Sequence, residues 1–271
     1  MTETPEKRVT VPIFRARKAA GQPITVITAY DYMSAKLADR AGVDAILVGD
    51  SLGPVVMGYE STVPVTFDEI LHHVRAVRNG LKRALLIADL PFGTYQESVA
   101  QAVGYAVRLL KEGGAQAVKL EGGSPYFLEI VQRLNECAVP TMGHIGLTPQ
   151  SYHAFGGHRV QGRNDEDAER LLREACGLEA AGAFGIVLET IPAELAQQIT
   201  ASVSIPTIGI GAGAGCDGQV QVWHDILGLA PRVYKHTKKY ADLSSVIENA
   251  LRAYVDEVRD KEFPSEEHSL H

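Results

Sequence analysis

Cysteine is scarce in this chain and poorly placed for pairing. The 271 residues contain three, Cys137, Cys176 and Cys216, with no C-x-x-C, so neither a disulfide framework nor a thiolate metal site is indicated. Positive charge is short as well. The formal net charge is −7, and the one basic cluster, Arg15, Arg17 and Lys18, is brief and flanked by turn residues, which leaves no footprint for nucleic acid or an anionic membrane. The opening MTETPEKR is charged where a signal peptide needs an apolar stretch, and no run approaches the roughly 20 apolar residues of a membrane span. These absences predict a soluble, cytoplasmic protein in a reducing compartment.

What the chain has instead is alternation. Short β-branched runs, ITVITAY (24–30), AILVGD (45–50), ALLIADL (84–90), AVKLEGG (117–123), PTMGHIG (140–146), GIVLET (185–190), PTIGIGA (206–212) and QVQVWH (219–224), are separated by segments of helical period. Thr66 with Glu69 and Thr94 with Glu97 read as capping boxes, and Ser124-Pro125 as a cap before a first-turn proline. Ala41-Gly42, Gly113-Gly114 and Ala181-Gly182 suit left-handed helix ends. Eight such units predict a closed (β/α)8 TIM barrel as a single domain over 1–271, with a short N-terminal extension (about 1–22) and a C-terminal helix and tail (about 242–271). Between the seventh and eighth runs there is no room for a helix; either that unit has lost it or the strand boundaries differ. An open doubly wound sheet is the alternative architecture. GIGAGA (209–214) fits a loose dinucleotide fingerprint but lacks the long helix that should follow it.

The runs end on chemistry. Asp50 with Ser51, Asp89, Lys119 with Glu121, His144 and Glu189 close the second to sixth runs, at the strand ends where ligands bind in parallel α/β folds. Alternation of faces places Lys119 and Glu121 together in the mouth, and puts Asp50 above Val48, Asp89 above Ile87 and Glu189 above Val187. Several carboxylates in one dry mouth call for a cation, and hard oxygens without thiolates or zinc-type histidine spacing select Mg²⁺ or a similar ion. Lys119 has two readings, Schiff-base former or electrostatic anchor; Glu121 on the same face favours a charged lysine that binds a substrate carboxylate. His144 reads as a hydrogen-bonding group for substrate.

The ordered motifs ITAYDYMSAKLADRAGVDAILVGDSLG, ESTVPVTFDEI, IADLPFGTY, VKLEGG, MGHIGLTPQS, GGHRVQGR, IVLETIP and GIGAGAGCDGQVQVWHDILGL resemble the ketopantoate hydroxymethyltransferase family over most of the chain. Gln221 departs from the aliphatic residue expected there, and the tail after Pro264 carries no motif. The resemblance implies an enzyme of pantothenate and coenzyme A biosynthesis that transfers a hydroxymethyl group from 5,10-methylenetetrahydrofolate to 3-methyl-2-oxobutanoate. It implies one Mg²⁺ per subunit, held by Asp50 and Asp89 with Glu121 close to the metal or its water. Asp50, Ser51, Asp89, Lys119 and His144 would hold the keto acid, and Glu189 would accept the proton lost as a metal-stabilised enolate forms. Family members are commonly decamers, which implies a homo-oligomer. Two rival readings are a Mg²⁺-dependent carbon–carbon lyase or phosphonomutase-like barrel and a non-catalytic barrel. The first wants a general acid such as a cysteine on a mobile loop, which is not evident. The long segment 147–162 is a candidate lid.

Overall fold

Eight parallel strands hydrogen-bond in chain order and close on themselves, the first pairing with the last. The structure, a computed structural model, describes residues 7–157, 159–230 and 234–270. The chain divides into two compact units, residues 1–222 and 223–271. The first holds α1 (Val11–Ala19), β1 (Ile24–Thr28), α2 (Tyr32–Arg40), β2 (Ala45–Val48), α3 (Phe67–Gly80), β3 (Leu85–Asp89), α4 (Val99–Arg108), β4 (Ala117–Lys119) and α5 (Pro125–Glu136). It continues with β5 (Thr141–Gly146), α6 (Tyr152–Phe155), α7 (Asp165–Ala180), β6 (Gly185–Glu189), α8 (Ala193–Ser202), β7 (Thr207–Ile210) and β8 (Gly218–Gln221). The second holds α9 (Trp223–Ile226) and α10 (Leu243–Arg259).

Inside the barrel, Val26, Leu47, Leu85, Ile87, Ala117, Met142, Val187, Ile208 and Val220 form one buried cluster. The alternate residues Ile46, Val48, Leu86, Val118, Ile145 and Leu188 are buried on the other face of their strands, as strand alternation beneath a ring of helices requires. The N-terminal extension closes the floor. Phe14 of α1 is fully buried and meets Phe184 edge to face at 5.6 Å, while Arg17 and Arg83 both bind the buried Asp44, at 2.6 and 3.3 Å.

Local signals mostly place the helices as expected. Thr66 accepts the Glu69 N–H while the Glu69 carboxylate takes the Thr66 N–H at 2.7 Å, a complete capping box on α3. Ser124 precedes Pro125 at the start of α5, and Gly42, Gly114 and Gly182 are left-handed. Thr94 departs from expectation: its hydroxyl donates to the Pro91 carbonyl at 2.6 Å within a turn, and Ser98 caps α4 instead, accepting the Gln101 N–H.

The seventh unit has no helix among the described residues; a loop over 211–217 joins β7 directly to β8. Register makes this feasible. Gly218 pairs with Ile208, so the loop descends only the height of two strand residues, about 7 Å. The residues expected to extend the eighth strand through Trp223 and His224 instead open α9. Gly213 of the GIGAGA loop is left-handed, and a Cβ there would come 2.6 Å from that of Ala193. The glycines therefore serve close packing in a connection with no helix of dinucleotide-binding length.

Candidate active site at the barrel mouth

Asp89, Lys119 and Glu189 are the last residues of β3, β4 and β6, and His144 lies within β5. Each continues an inward column, above Ile87, Ala117, Val187 and Met142 respectively, and Glu121 follows Lys119 on the same parity. Asp50 corrects the expectation. The inward column of β2 is Ala45 and Leu47, whereas Val48 lies on the outer face. Asp50 reaches the mouth because β2 stops at Val48 and alternation no longer governs the chain there. Gly49 occupies the next inward position, where a Cβ would stand 2.9 Å from Ser51 Oγ and 3.2 Å from Asp89 Oδ2. The glycine leaves room for both side chains.

The polar groups interlock. The Asp50 N–H donates to Asp89 Oδ2 at 3.1 Å, which sets the two carboxylates side by side. Lys119 Nζ lies 3.0 Å from Asp89 Oδ1 and 3.4 Å from His144 Nδ1, so Asp89, rather than Glu121, is its close partner. The pairing is poorly directed: Asp89 Oδ1 is buried and accepts no hydrogen bond among the described residues. His144 stands between two carboxylates, with Nδ1 3.5 Å from Glu121 and Nε2 3.3 Å from Glu189, the latter also out of hydrogen-bond alignment. Gly146 permits this approach, since at its φ of +95° a Cβ would overlap the Glu189 carbonyl. Ser51 is fixed by the Tyr30 hydroxyl at 2.8 Å.

Four carboxylates thus share the mouth with one ammonium. Burial, then the charge of Asp89, raises the Asp50 carboxyl to about 7, with Lys119 and a Gln150 hydrogen bond opposing. Burial and Asp50 push Glu121 well above the ordinary carboxylate range. Burial pulls Lys119 downward, but Asp89, Glu121 and Asp50 outweigh it and the net shift is upward, so the ammonium stays charged. Burial and the neighbouring Lys119 lower His144, which keeps its ring neutral. Glu189 is the most open of the acids, its side chain 18% exposed against 3% for Asp89 and Glu121.

Three further participants are not titratable strand ends. Tyr30 lies two residues past the end of β1, Tyr95 lies in the loop after β3, and Gln150 lies in the turn Pro149–Ser151 after β5. Gln150 donates its backbone N–H to Glu121 and its amide to Asp50, and Tyr95 binds both Gln150 and the Glu121 backbone. Their signal was position just past a strand end; an amide and two phenols carry no charge to draw notice. Residues 147–162 bear this turn and α6, residue 158 lying outside the described residues. The cysteines stand apart, Cys137 and Cys176 exposed at the end of α5 and on α7, and Cys216 half-buried in the loop between β7 and β8.

A family model described as ketopantoate hydroxymethyltransferase matches residues 8–266. Among curated relatives, the 3-methyl-2-oxobutanoate hydroxymethyltransferase of Carboxydothermus hydrogenoformans is 57% identical, covering 97% of this chain and 95% of its own. That of Syntrophus aciditrophicus is 52% identical over 99% of both chains. In fold, the chain is similar to a phosphoenolpyruvate phosphomutase from Streptomyces platensis (TM-score 0.62, 15% identity, 93% of this chain and 88% of that one) and to a phosphonopyruvate hydrolase (TM-score 0.62, 15% identity, 97% and 92%). At that identity the likeness concerns the barrel alone.

Proposed function

The chain belongs to the ketopantoate hydroxymethyltransferase family, and from that premise we propose that it transfers a hydroxymethyl group from 5,10-methylenetetrahydrofolate to 3-methyl-2-oxobutanoate, forming ketopantoate on the route to pantothenate and coenzyme A. The observation that carries this reading is the mouth itself: Asp50, Asp89, Glu121 and Glu189 converge with Lys119 and His144 on one rim, the equipment for deprotonating a carbon next to a ketone while anchoring a carboxylate.

The donor set suits a hard divalent cation. Among the described residues no group of three or more His, Cys, Asp or Glu side chains is placed to hold a metal ion by itself, and Mg²⁺ is commonly held by one or two carboxylates while water and substrate complete its shell. Asp50 and Asp89 would hold it; the buried Asp89 Oδ1 accepts no directed hydrogen bond among the described residues, its near partner being the Lys119 ammonium at 3.0 Å. When bound, the ion supplies a Lewis acid for the ketone oxygen.

Glu189 takes the proton from the carbon beside the ketone. Its exposure lets the proton pass on to water, and the neutral ring of His144 lies beside it at 3.3 Å. Lys119 anchors the carboxylate of the keto acid, and Ser51, held by Tyr30, supplies a further hydroxyl. Glu121 stands by the metal position. Water adds to the one-carbon unit as its two C–N bonds break and the nitrogens take up protons, releasing tetrahydrofolate and leaving the carbon at the formaldehyde level; the deprotonated carbon of the keto acid bonds to it, and the former carbonyl oxygen takes a proton to become the hydroxyl of the hydroxymethyl group.

Assembly is part of this proposal. At helical spacing α10 carries exposed Ile247, Leu251, Tyr254, Val255 and Val258, an apolar stripe that supports a homo-oligomer, a decamer by family resemblance. No helix among the described residues is long and apolar enough to cross a membrane.

The decisive experiment follows the C3 proton of 3-methyl-2-oxobutanoate in D₂O by NMR, with and without Mg²⁺. Metal-dependent exchange, reduced on the order of 100-fold or more in Glu189→Gln, is expected. If native protein with Mg²⁺ neither exchanges this proton nor forms ketopantoate when methylenetetrahydrofolate is added, the assignment fails.

A further inference from the structure

We infer that Gln150 is a positioning residue for the two carboxylates that flank the metal position, a role built from the fully used hydrogen-bonding capacity of one buried amide. Its Nε2 donates to Asp50 Oδ2 at 2.8 Å and to the Leu90 carbonyl at 3.0 Å. Its Oε1 accepts from the Tyr95 hydroxyl at 2.5 Å and from Gln96 Nε2 at 3.4 Å. Its backbone N–H donates to Glu121 Oε2 at 2.9 Å. One residue, entering from the loop after β5, thereby binds the ends of β2, β3 and β4.

The chemistry of the partners fixes which way the amide faces. The Leu90 carbonyl can only accept, so the nitrogen must face it; a flipped amide would set oxygen against both that carbonyl and the Asp50 carboxylate. Tyr95 is itself fully placed, since its oxygen also receives the Glu121 N–H at 3.2 Å and its ring packs on Phe127 at 5.8 Å. Tying Oδ2 of Asp50 and Oε2 of Glu121 assigns the remaining oxygen of each to the mouth. Gln150 thus selects which carboxylate oxygens meet the cation and the substrate while touching neither. This inference rests on the cation reading of the site.

The test is metal binding without substrate. Mn²⁺ titrations followed by EPR on native protein, Gln150→Met, which keeps length and removes every side-chain hydrogen bond, and Tyr95→Phe, which removes the hydroxyl that holds the amide and receives the Glu121 N–H, test the role from both sides. Expected are a loss of about 10-fold or more in Mn²⁺ affinity for Gln150→Met, a smaller loss for Tyr95→Phe, and a fall in kcat larger than the rise in KM for the keto acid. Unchanged Mn²⁺ affinity in a folded Gln150→Met, or in Tyr95→Phe should the first variant not fold, would overturn the positioning role while leaving the site reading intact. Native protein that binds no Mn²⁺ would overturn both.

Discussion

Asp50 makes the site sensitive to pH. Its carboxyl, ordinarily near 3.8, stands near 7 in the folded chain without a cation. The folded state therefore keeps a proton that the unfolded state releases, so the stability this group contributes is greatest below pH 3.8 and falls as the pH climbs through 7. The melting temperature of metal-free protein is expected to drop between about pH 4 and 7, with Mg²⁺ raising it more at the upper end. An equal rise at both ends, measured by scanning fluorimetry, would speak against a cation at this carboxylate. Gly49 offers a second handle. A Cβ there meets Ser51 Oγ at 2.9 Å and Asp89 Oδ2 at 3.2 Å, so Gly49→Ala should displace both groups and lower kcat/KM on the order of 10- to 100-fold. Activity equal to native would show that neither group needs its present place.

At the scale of elements, caps set where helices begin and so where each loop meets the rim. The Thr66 hydroxyl and the Glu69 carboxylate satisfy each other's backbone at the start of α3. Thr66→Ala is expected to cost about 1 kcal/mol and to lower the melting temperature by about 2 °C, with kcat unchanged. A large loss of turnover would mean that α3 positions the site more directly than its capping suggests. Thr94 shows the limit of such signals. It has the capping-box spacing, yet its hydroxyl turns back to Pro91, because the chain after β3 first builds the loop that delivers Tyr95 to the mouth.

At the scale of the whole molecule, the apolar stripe of α10 bears on assembly. Light scattering after size exclusion should give several times the 29.2 kDa of one chain, ten times for a decamer, and Leu251→Asp with Tyr254→Asp should lower it. A native mass of one chain would remove the oligomer from the proposal. The barrel itself was readable in advance, since eight strand runs with helices between most of them leave few ways to pair parallel strands. The seventh crossover was not. Whether a seven-residue loop can join two parallel strands depends on their register, here Ile208 beside Gly218, and register is a property of the closed sheet.

The eight βα units, most helix ends and the identity of the titratable strand ends are legible along the chain, because periodicity, capping and alternation act between residues a few positions apart. The partners depend on the closed fold: Asp89 rather than Glu121 beside Lys119, Asp50 in the mouth although off the alternation of its strand, and Gln150 bonded to a carboxylate 100 residues earlier in the chain. The physical reason is closure. Until the barrel forms, nothing local brings those side chains within hydrogen-bond distance; once it forms, the rim leaves a buried carboxylate few groups to bond.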